Sequence, residues 1–418
     1  MTAAAMPMDS DRIATIDVVR GVAVCGILLM NITAFAMPQA AYTNPAAWGG
    51  ADGANLWTWA LNFVLVDGKM RGLFSLLFGA SMMLIAERAV AAGRSAERIH
   101  YARMFWLLVI GLAHLWLVWW GDILHHYALV GAIAFPLRHL ATRSKLMIAL
   151  TLLVLQSAMM FSVAGAARQA ETRIAAHPDD AKARKTIDQF NLGFGIPPRA
   201  AMEKDIRLHR QGYAAILADR WRHEAKTPIQ ELLFVGMETL AYMLMGMVCL
   251  SSGLLTGAWS ARRYALVWLG CWAVTVPAYA ALAYWIVQAH FSLSTVAFAG
   301  LALTTPLRPI MIIGWACLIV LLARGGGWLA RRFGAAGRMA FSNYLASSLI
   351  CTTLFYGYGL GWYGSVDRAG LMIVVAGVWA LMLLWSVPWL ARFRYGPAEW
   401  LWRSLARGRA QPLRLAAA

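Results

Sequence analysis

The chain has 418 residues, of which 60% are hydrophobic and only 14% charged, with a mean hydropathy of +0.58. Soluble domains run nearer about 45–50% apolar and about 25% charged, so secreted, disordered, fibrous and ordinary cytosolic classes are excluded. Lys and Arg outnumber Asp and Glu by 37 to 20, a formal charge of +17 that has to be located before it can be interpreted.

At about 20 apolar residues per crossing, the composition supports about ten membrane spans. Ten continuous apolar runs are found, at roughly 18–37, 57–86, 104–120, 126–140, 146–165, 229–256, 264–287, 304–323, 339–357 and 370–390. They lack the short alternating pattern of barrel strands. The first run is preceded by Asp9, Asp11, Arg12 and Asp17, not a positively charged region, so it reads as a true span and not as a cleaved signal. The second is too long for one crossing and is interrupted by Asp67-Gly68-Lys69-Met70-Arg71. It reads as an outer half-helix, a polar break and a main span.

Most of the positive charge follows from the topology. With a cytoplasmic N-terminus, the cytoplasmic segments hold Arg88, Arg94, Arg98 and Arg103, then Arg138, Arg143 and Lys145, then Arg262 and Arg263. Arg324, Arg331, Arg332 and Arg338 follow, and the tail adds Arg392, Arg394, Arg403, Arg407, Arg409 and Arg414. The short loops opposite carry a single basic residue, Arg368. This is the positive-inside asymmetry. The fold expected is therefore all-α, a polytopic integral membrane helix bundle of about ten spans with both termini cytoplasmic.

One long external loop, 166–228, has mixed charge; it separates a five-span half at 12–165 from another at 229–409. Its runs near 168–190 and 199–226 read as polar helices joined through Gly195-Ile196-Pro197-Pro198. The partner expected is a lipid bilayer, with no nucleic acid, for no basic–aromatic module is present. Cys25, Cys249, Cys271, Cys317 and Cys351 all lie within spans, and glycines such as Gly246 and Gly253 suit helix packing.

Ionisable side chains inside spans are costly, and they direct the search for a site. In the first span, Asp17 and Arg20 share a face with Asn31, eleven positions on and roughly 16 Å along the axis. Asp67 and Arg71 stand at i,i+4 spacing and can pair, leaving Lys69 on another face. The hairpin Gly121-Asp122-Ile123-Leu124-His125-His126-Tyr127, with His114 two turns earlier, places a carboxylate beside two imidazoles. A carboxylate-oriented imidazole is what a general base needs; a structural turn is the alternative. The mixed spacing falls short of a ligand signature, so no metal is expected. Glu231 and Glu238 lie seven apart on one face of the sixth span, and Glu238 is deep enough to require Lys69 or Arg71 as partner. Arg308 stands between Pro306 and Pro309, and Ser342, Asn343, Ser347 and Ser348 form a polar strip in the ninth span.

The chain resembles the bacterial YeiB-like membrane proteins, whose C-terminal half carries a domain of unknown function. The pieces that carry the resemblance are Asp17-Val18-Val19-Arg20-Gly21 through Asn31, Lys69-Met70-Arg71-Gly72-Leu73-Phe74-Ser75, Gly121-Asp122-Ile123-Leu124 with Tyr127-Ala128, Gly337-Arg338-Met339-Ala340-Phe341-Ser342-Asn343-Tyr344, and Gly396-Pro397-Ala398-Glu399-Trp400-Leu401-Trp402-Arg403. That family looks like a branch of the transmembrane acyltransferase superfamily, with heparan-glucosaminide acetyltransferase and the acyltransferase-3 proteins.

The resemblance implies transfer of an acyl group from cytoplasmic acyl-CoA, as donor, to an extracytoplasmic glycan or lipid acceptor. In acyltransferase-3 proteins an Arg precedes a His by eleven residues; here Arg20 matches the Arg, and Asn31 occupies the His position. The lysosomal enzyme uses a His in its first external loop, and residues 38–56 here contain none. On this reading His126 or His125 is the base with Asp122 as orienter. Asn31 donates to the acyl carbonyl, and Arg20 with Asp17 holds the CoA phosphates. Lys69, Arg71, Glu238 and Asn343 then serve the acceptor or stabilise charge. An anion permease built on Lys69, Arg71 and Arg308, or a scaffold using the external loop, are the other readings of the same residues.

Overall fold

The computed structural model describes residues 14–415, so Asp9, Asp11 and Arg12 lie outside the described residues. Every regular element within that range is helical, apart from one isolated antiparallel bridge between Phe393 and Arg414. In chain order they are α1 (Ala14–Ala36), α2 (Ala40–Thr43), α3 (Gly53–Leu65), α4 (Lys69–Ala91), α5 (Ala96–Leu117), α6 (Leu124–Ala134) and a 3-10 turn at Pro136–His139. There follow α7 (Thr142–Ala176), α8 (Ala181–Gly193), α9 (Arg199–His209), α10 (Tyr213–His223), α11 (Thr227–Ser251), α12 (Ala261–Gln288), α13 (Leu293–Thr295) and a π-helical stretch Val296–Ala302. The chain ends in α14 (Thr304–Ala323), α15 (Trp328–Arg338), α16 (Ala340–Phe355), α17 (Leu371–Leu390) and α18 (Pro397–Arg407).

Eight helical segments are long and apolar enough to cross a membrane: α1, α3 with α4, α5, α7, α11, α12, α14 and α17. The protein is a multi-pass membrane helix bundle. The other two expected spans are shorter than a full crossing. Helix α6 has 11 residues and α16 has 16, giving about 16 and 24 Å against a hydrocarbon core of about 30 Å. Their apolar composition was legible; their length was set by Pro136 after α6 and by the glycine-rich turn after Phe355. The second span divides as expected, with α3 and α4 separated at Gly68, whose φ of 70° suits glycine. The external segment differs in detail, because α7 continues unbroken to Ala176 and three helices follow it, with the Gly195–Pro198 joint between α8 and α9.

Burial ranks the helices. In α1, 78% of the apolar window is buried inside the bundle, against 17% in α7 and 11% in α12. Helix α1 is thus the central post, and the apolar faces of α7 and α12 are left for lipid. The arginine-rich loops gather at one end of the bundle, where the Thr15 hydroxyl donates to Leu255 O and the Trp402 indole to Arg103 O. The opposite end is closed by short loops and the external helices: Gly364 N donates to Ala36 O, and Gly357 N to His209 O. Arg368, the one basic residue in the short loops there, is buried and donates to Ala41 O, Trp48 O and Thr33 Oγ1. Burial lowers its guanidinium to about 10, so it is still charged at neutral pH. It is a loop staple, which explains why it departs from the topological pattern.

Two helix crossings are closer than side chains allow. A Cβ on Gly21 would lie 2.0 Å from Phe333 O, and one on Gly337 would lie 1.9 Å from Asp17 O, so α1 meets α15 backbone to backbone. At the second, a Cβ on Gly79 would lie 2.0 Å from Met243 O, and one on Gly246 would lie 1.8 Å from Leu76 O. Small residues at such contacts do what the hydrophobic effect cannot do between helices in lipid. Gly253 is different: its φ of 83° ends α11, and it serves a turn. Because backbone atoms cannot yield, Gly246→Leu should cost more than the about 1–3 kcal/mol of ordinary overpacking. Thermal unfolding in detergent should show a large fall for Gly246→Leu and little change for Gly165→Leu, which has open space around it.

Candidate functional site

The break between α3 and α4 brings charge into the bundle, and α4 begins there with Lys69 and Arg71. Lys69 is 1% exposed; its ammonium donates to Phe63 O, a last-turn carbonyl of α3, and lies 3.5 Å from the centre of the Tyr279 ring. It therefore satisfies a carbonyl that the broken helix would otherwise leave unmet. Asp67 accepts a 2.8 Å hydrogen bond from the Tyr42 hydroxyl. The expected Asp67–Arg71 pair does not form, because Asp67 lies in the break and the i,i+4 relation needs a continuous helix.

Arg71 reaches α11 instead. Glu238, 1% exposed, accepts from Arg71 through Oε2 and from Arg308 through Oε1. The Tyr242 hydroxyl adds a 2.9 Å bond to Oε1. Of the two partners expected for Glu238, Arg71 is found, Lys69 is not, and Arg308 joins from α14. Arg308 also donates to Thr304 Oγ1 at 3.3 Å, and a Cβ on Gly68 would stand 2.5 Å from its Nε. The helix break is thus also the space that the guanidinium occupies.

A second polar group lies at the turn between α5 and α6. Asp122 is 1% exposed and accepts from two imidazoles: His114 Nδ1 at 2.8 Å and His125 Nδ1 at 2.9 Å. It also accepts the backbone N–H of His125 at 3.0 Å, in the first turn of α6. Gly111 allows this approach, since a Cβ there would lie 2.3 Å from His125 N. With Nδ1 donating to Asp122, His125 presents Nε2 to Glu231, whose Oε2 is 3.2 Å away. Glu231 is 29% exposed at its side chain, which makes it the accessible end of a carboxylate–imidazole–carboxylate series. Helix α10 covers the turn, with the Tyr213 hydroxyl donating to Leu117 O and Arg220 donating to Trp116 O.

Thr239 links the first group to His126, the chain neighbour of His125. Its hydroxyl donates to Val235 O at 3.0 Å, so its oxygen is left to accept from Arg71 at 3.3 Å and from His126 Nε2 at 2.9 Å. His126 is thereby set as the Nε2–H tautomer, and its buried Nδ1 has no hydrogen-bond partner among the described residues. The polar path is continuous through side chains from Glu238 and Arg71 through Thr239 to His126, beside His125 and Asp122. Asp122 orients His125 and His114, whereas His126 is oriented by Thr239. Sequence reasoning named His114, Glu231 and Arg308 without placing them in the site, and Thr239 carries no signal of its own in an apolar run.

The remaining expected residues lie elsewhere. Arg20 Nη1 is 3.1 Å from Asp17 Oδ1, as the spacing implied, and Nη2 donates to Ser81 Oγ at 2.8 Å, near the basic end. Asn31 is half-buried towards the other end of α1, and no hydrogen bond among the described residues joins it to Asp122, His125 or His126. Asn343 is fully buried; its amide donates to Ala336 O and Ser386 Oγ and accepts from the Trp385 indole. It binds α15, α16 and α17 together and does not meet Arg71 or Glu238.

The charge arithmetic at Glu238 gives a test. Removing one member of a buried ionic group leaves the others uncompensated, at a cost of about 3–5 kcal/mol. Glu238→Gln leaves two guanidinium groups facing each other, so it should sharply lower the unfolding temperature in detergent. The Glu238→Gln/Arg308→Gln double variant should recover part of that loss. Equal stability of the two variants would show that Arg308 does not depend on Glu238.

Residues 249–409 match the family described as "Protein of unknown function (DUF418)". The chain is 34% identical over 415 residues to the protein described as "Uncharacterized protein YeiB" of Escherichia coli (strain K12), covering 96% of this chain and 98% of that protein. It is 27% identical over 427 residues to the "Uncharacterized protein YxaH" of Bacillus subtilis (strain 168), covering 97% of each. No solved structure matches it significantly. The match to the first of these relatives covers nearly the whole of both chains, and on that basis the chain belongs to the YeiB family of bacterial membrane proteins.

Proposed function

We propose that this protein is an acyltransferase of the bacterial inner membrane, which moves an acyl group from cytoplasmic acyl-CoA to a hydroxyl or amine of an extracytoplasmic glycan or lipid. The observation that carries the reading is the Asp122–His125 pair. A buried carboxylate holds Nδ1–H and points Nε2 towards the partly exposed Glu231. That is the geometry of an oriented general base with an outlet for its proton. Its position at the end of the bundle opposite the arginine-rich loops suits an acceptor arriving from outside.

In the proposed step, His125 Nε2 takes the acceptor's proton as its oxygen or nitrogen attacks the thioester carbonyl. The carbonyl oxygen becomes an oxyanion, the C–S bond breaks as it collapses, and the CoA thiolate leaves with the proton that His125 Nε2 took from the acceptor. Arg71, held by Glu238 and Thr239, is the proposed fixed positive charge for the oxyanion. His126 would assist as a second acceptor through its unpartnered Nδ1. Arg20, with Asp17, would face the donor's phosphates at the basic end, and the acyl arm would run along α1 and α4. Asn31 is the proposed amide donor on the outer part of that route.

Purified protein in liposomes, supplied with radiolabelled acetyl-CoA and membrane lipids or glycans, should transfer label to one acceptor class. His125→Ala and Asp122→Asn should each lower the rate by roughly 10²–10⁴-fold while eluting as the intact protein. Wild-type transfer no faster than that of the His125→Ala/Arg20→Ala variant would overturn the reading.

A second reading, a permease for small organic anions, draws support from the α3–α4 discontinuity with three cations beside it, a feature of transporter binding sites. It expects proteoliposome uptake of organic anions that is lost in Arg308→Gln. Absence of flux across a panel of such anions would remove it.

A further inference from the structure

At the basic end of the bundle a cavity of about 230 Å³ opens between the end of α4, the start of α5 and α18. Five arginines line it: Arg88 and Arg94 around the α4–α5 turn, Arg103 on α5, and Arg403 and Arg407 on α18. The rest of the lining is apolar, including Ile85 and Ile99, and no acidic side chain among the described residues contributes to it. Glu97, an acidic residue between Arg94 and Arg103 in sequence, is committed to Arg138 and to the Ser95 hydroxyl.

Topogenic arginines ordinarily reach outward to lipid headgroups, each on its own. These converge from three elements, and the convergence is built. Arg103 lies flat over Trp402, 3.8 Å from the ring centre, and the Trp402 indole donates to Arg103 O at 2.8 Å. Arg407 is held by Gln411. Helix α18 is itself pinned, because Glu399 accepts from the backbone N–H groups of Phe341 and Ser342 and from the Ser342 hydroxyl. Ala398 N donates back to Ser342 Oγ at 2.9 Å. The last two motif segments of the chain therefore lock together, and their junction presents Arg403 and Arg407 to α5.

Bringing like charges to one concave wall costs repulsion that an anion would relieve. Guanidinium groups suit phosphate in particular, because each offers paired donors in a planar fork. The geometry points to this cavity as a binding site for a ligand that carries two or more phosphate groups. Such chemistry is found in the nucleotide end of a soluble cofactor and in the headgroup of a diphosphorylated lipid. The site stands on its own geometry, and binding here does not require that any acyl transfer occur.

The test uses the full-length protein, with calorimetric binding of inorganic pyrophosphate and of coenzyme A in detergent, and thermal unfolding in nanodiscs with and without cardiolipin. At least one of these three should bind or stabilise the protein. Arg94→Gln, at an exposed position, and Arg103→Gln should each weaken that effect tenfold or more, and raised salt should weaken it further. Arg262→Gln, on another basic loop, should leave it unchanged. A response to pyrophosphate or coenzyme A assigns the soluble source, and a response to cardiolipin alone assigns the lipid. The proposal is overturned if no probe binds in a manner that depends on Arg94 and Arg103, or if Arg262→Gln weakens binding equally.

Discussion

Charges inside a lipid-embedded bundle need partners where they stand, and here one carboxylate gathers two guanidinium groups. Glu238 receives Arg71 from α4, Arg308 from α14 and the Tyr242 hydroxyl from its own helix. Three helices distant in sequence are held at one depth by these contacts, and geometry elsewhere follows. Arg71 has to start near a helix break to reach α11, so α3 and α4 separate at Gly68; the gap left by the glycine is what Arg308 fills. Lys69 then closes the exposed end of α3. The close crossing of α4 and α11 at Gly79 and Gly246 lies further along the same two helices and fixes their separation. An ion group of this kind is weak evidence for net stability but strong evidence for register, since no shifted arrangement would satisfy it.

Thr239 extends this constraint to the histidines. One hydroxyl lies between Arg71 and His126, and its own proton is spent on Val235 O, so it fixes a tautomer as well as a position. Helix α11 consequently carries two carboxylates with different duties. Glu238 is saturated by cations, whereas Glu231, two turns nearer the helix start, faces a single imidazole and the solvent-accessible edge. Spacing of seven residues places both on one face; what separates their chemistry is the company supplied by other helices.

The sequence was most legible where the physics is local. Apolar runs locate the helices, the arginine asymmetry orders the loops, and the three-residue spacing of Asp122 and His125 survives directly as a hydrogen bond. It was least legible where a partner comes from far along the chain. Arg308 and Glu238 are 70 residues apart, and nothing in either run announces the other. The i,i+4 rule misdirects Asp67, because it assumes a helix that Gly68 interrupts. Composition cannot tell a full span from a buried partial one, so α6 and α16 read as crossings although they lack the length. The polar strip on α16 is occupied with helix contacts: Ser342 with Glu399, Asn343 with Trp385 and Ser386.

The formal charge of +17 therefore resolves into groups with different physical causes. Arginines dispersed over separate loops answer the topology rule. Arg368 serves loop closure, and Arg71 and Arg308 share Glu238, which cancels one of their two charges. The arginines around Arg103 belong to none of these, since they converge from three elements on one cavity whose lining holds no carboxylate among the described residues. Dispersed charge can be exchanged among loops at little cost, because only its side of the membrane matters. Converged charge cannot where its members are held by distinct contacts: Trp402 under Arg103, Gln411 on Arg407 and Tyr395 under Arg403. That difference separates a topological signal from a built recognition surface within the same count of arginines.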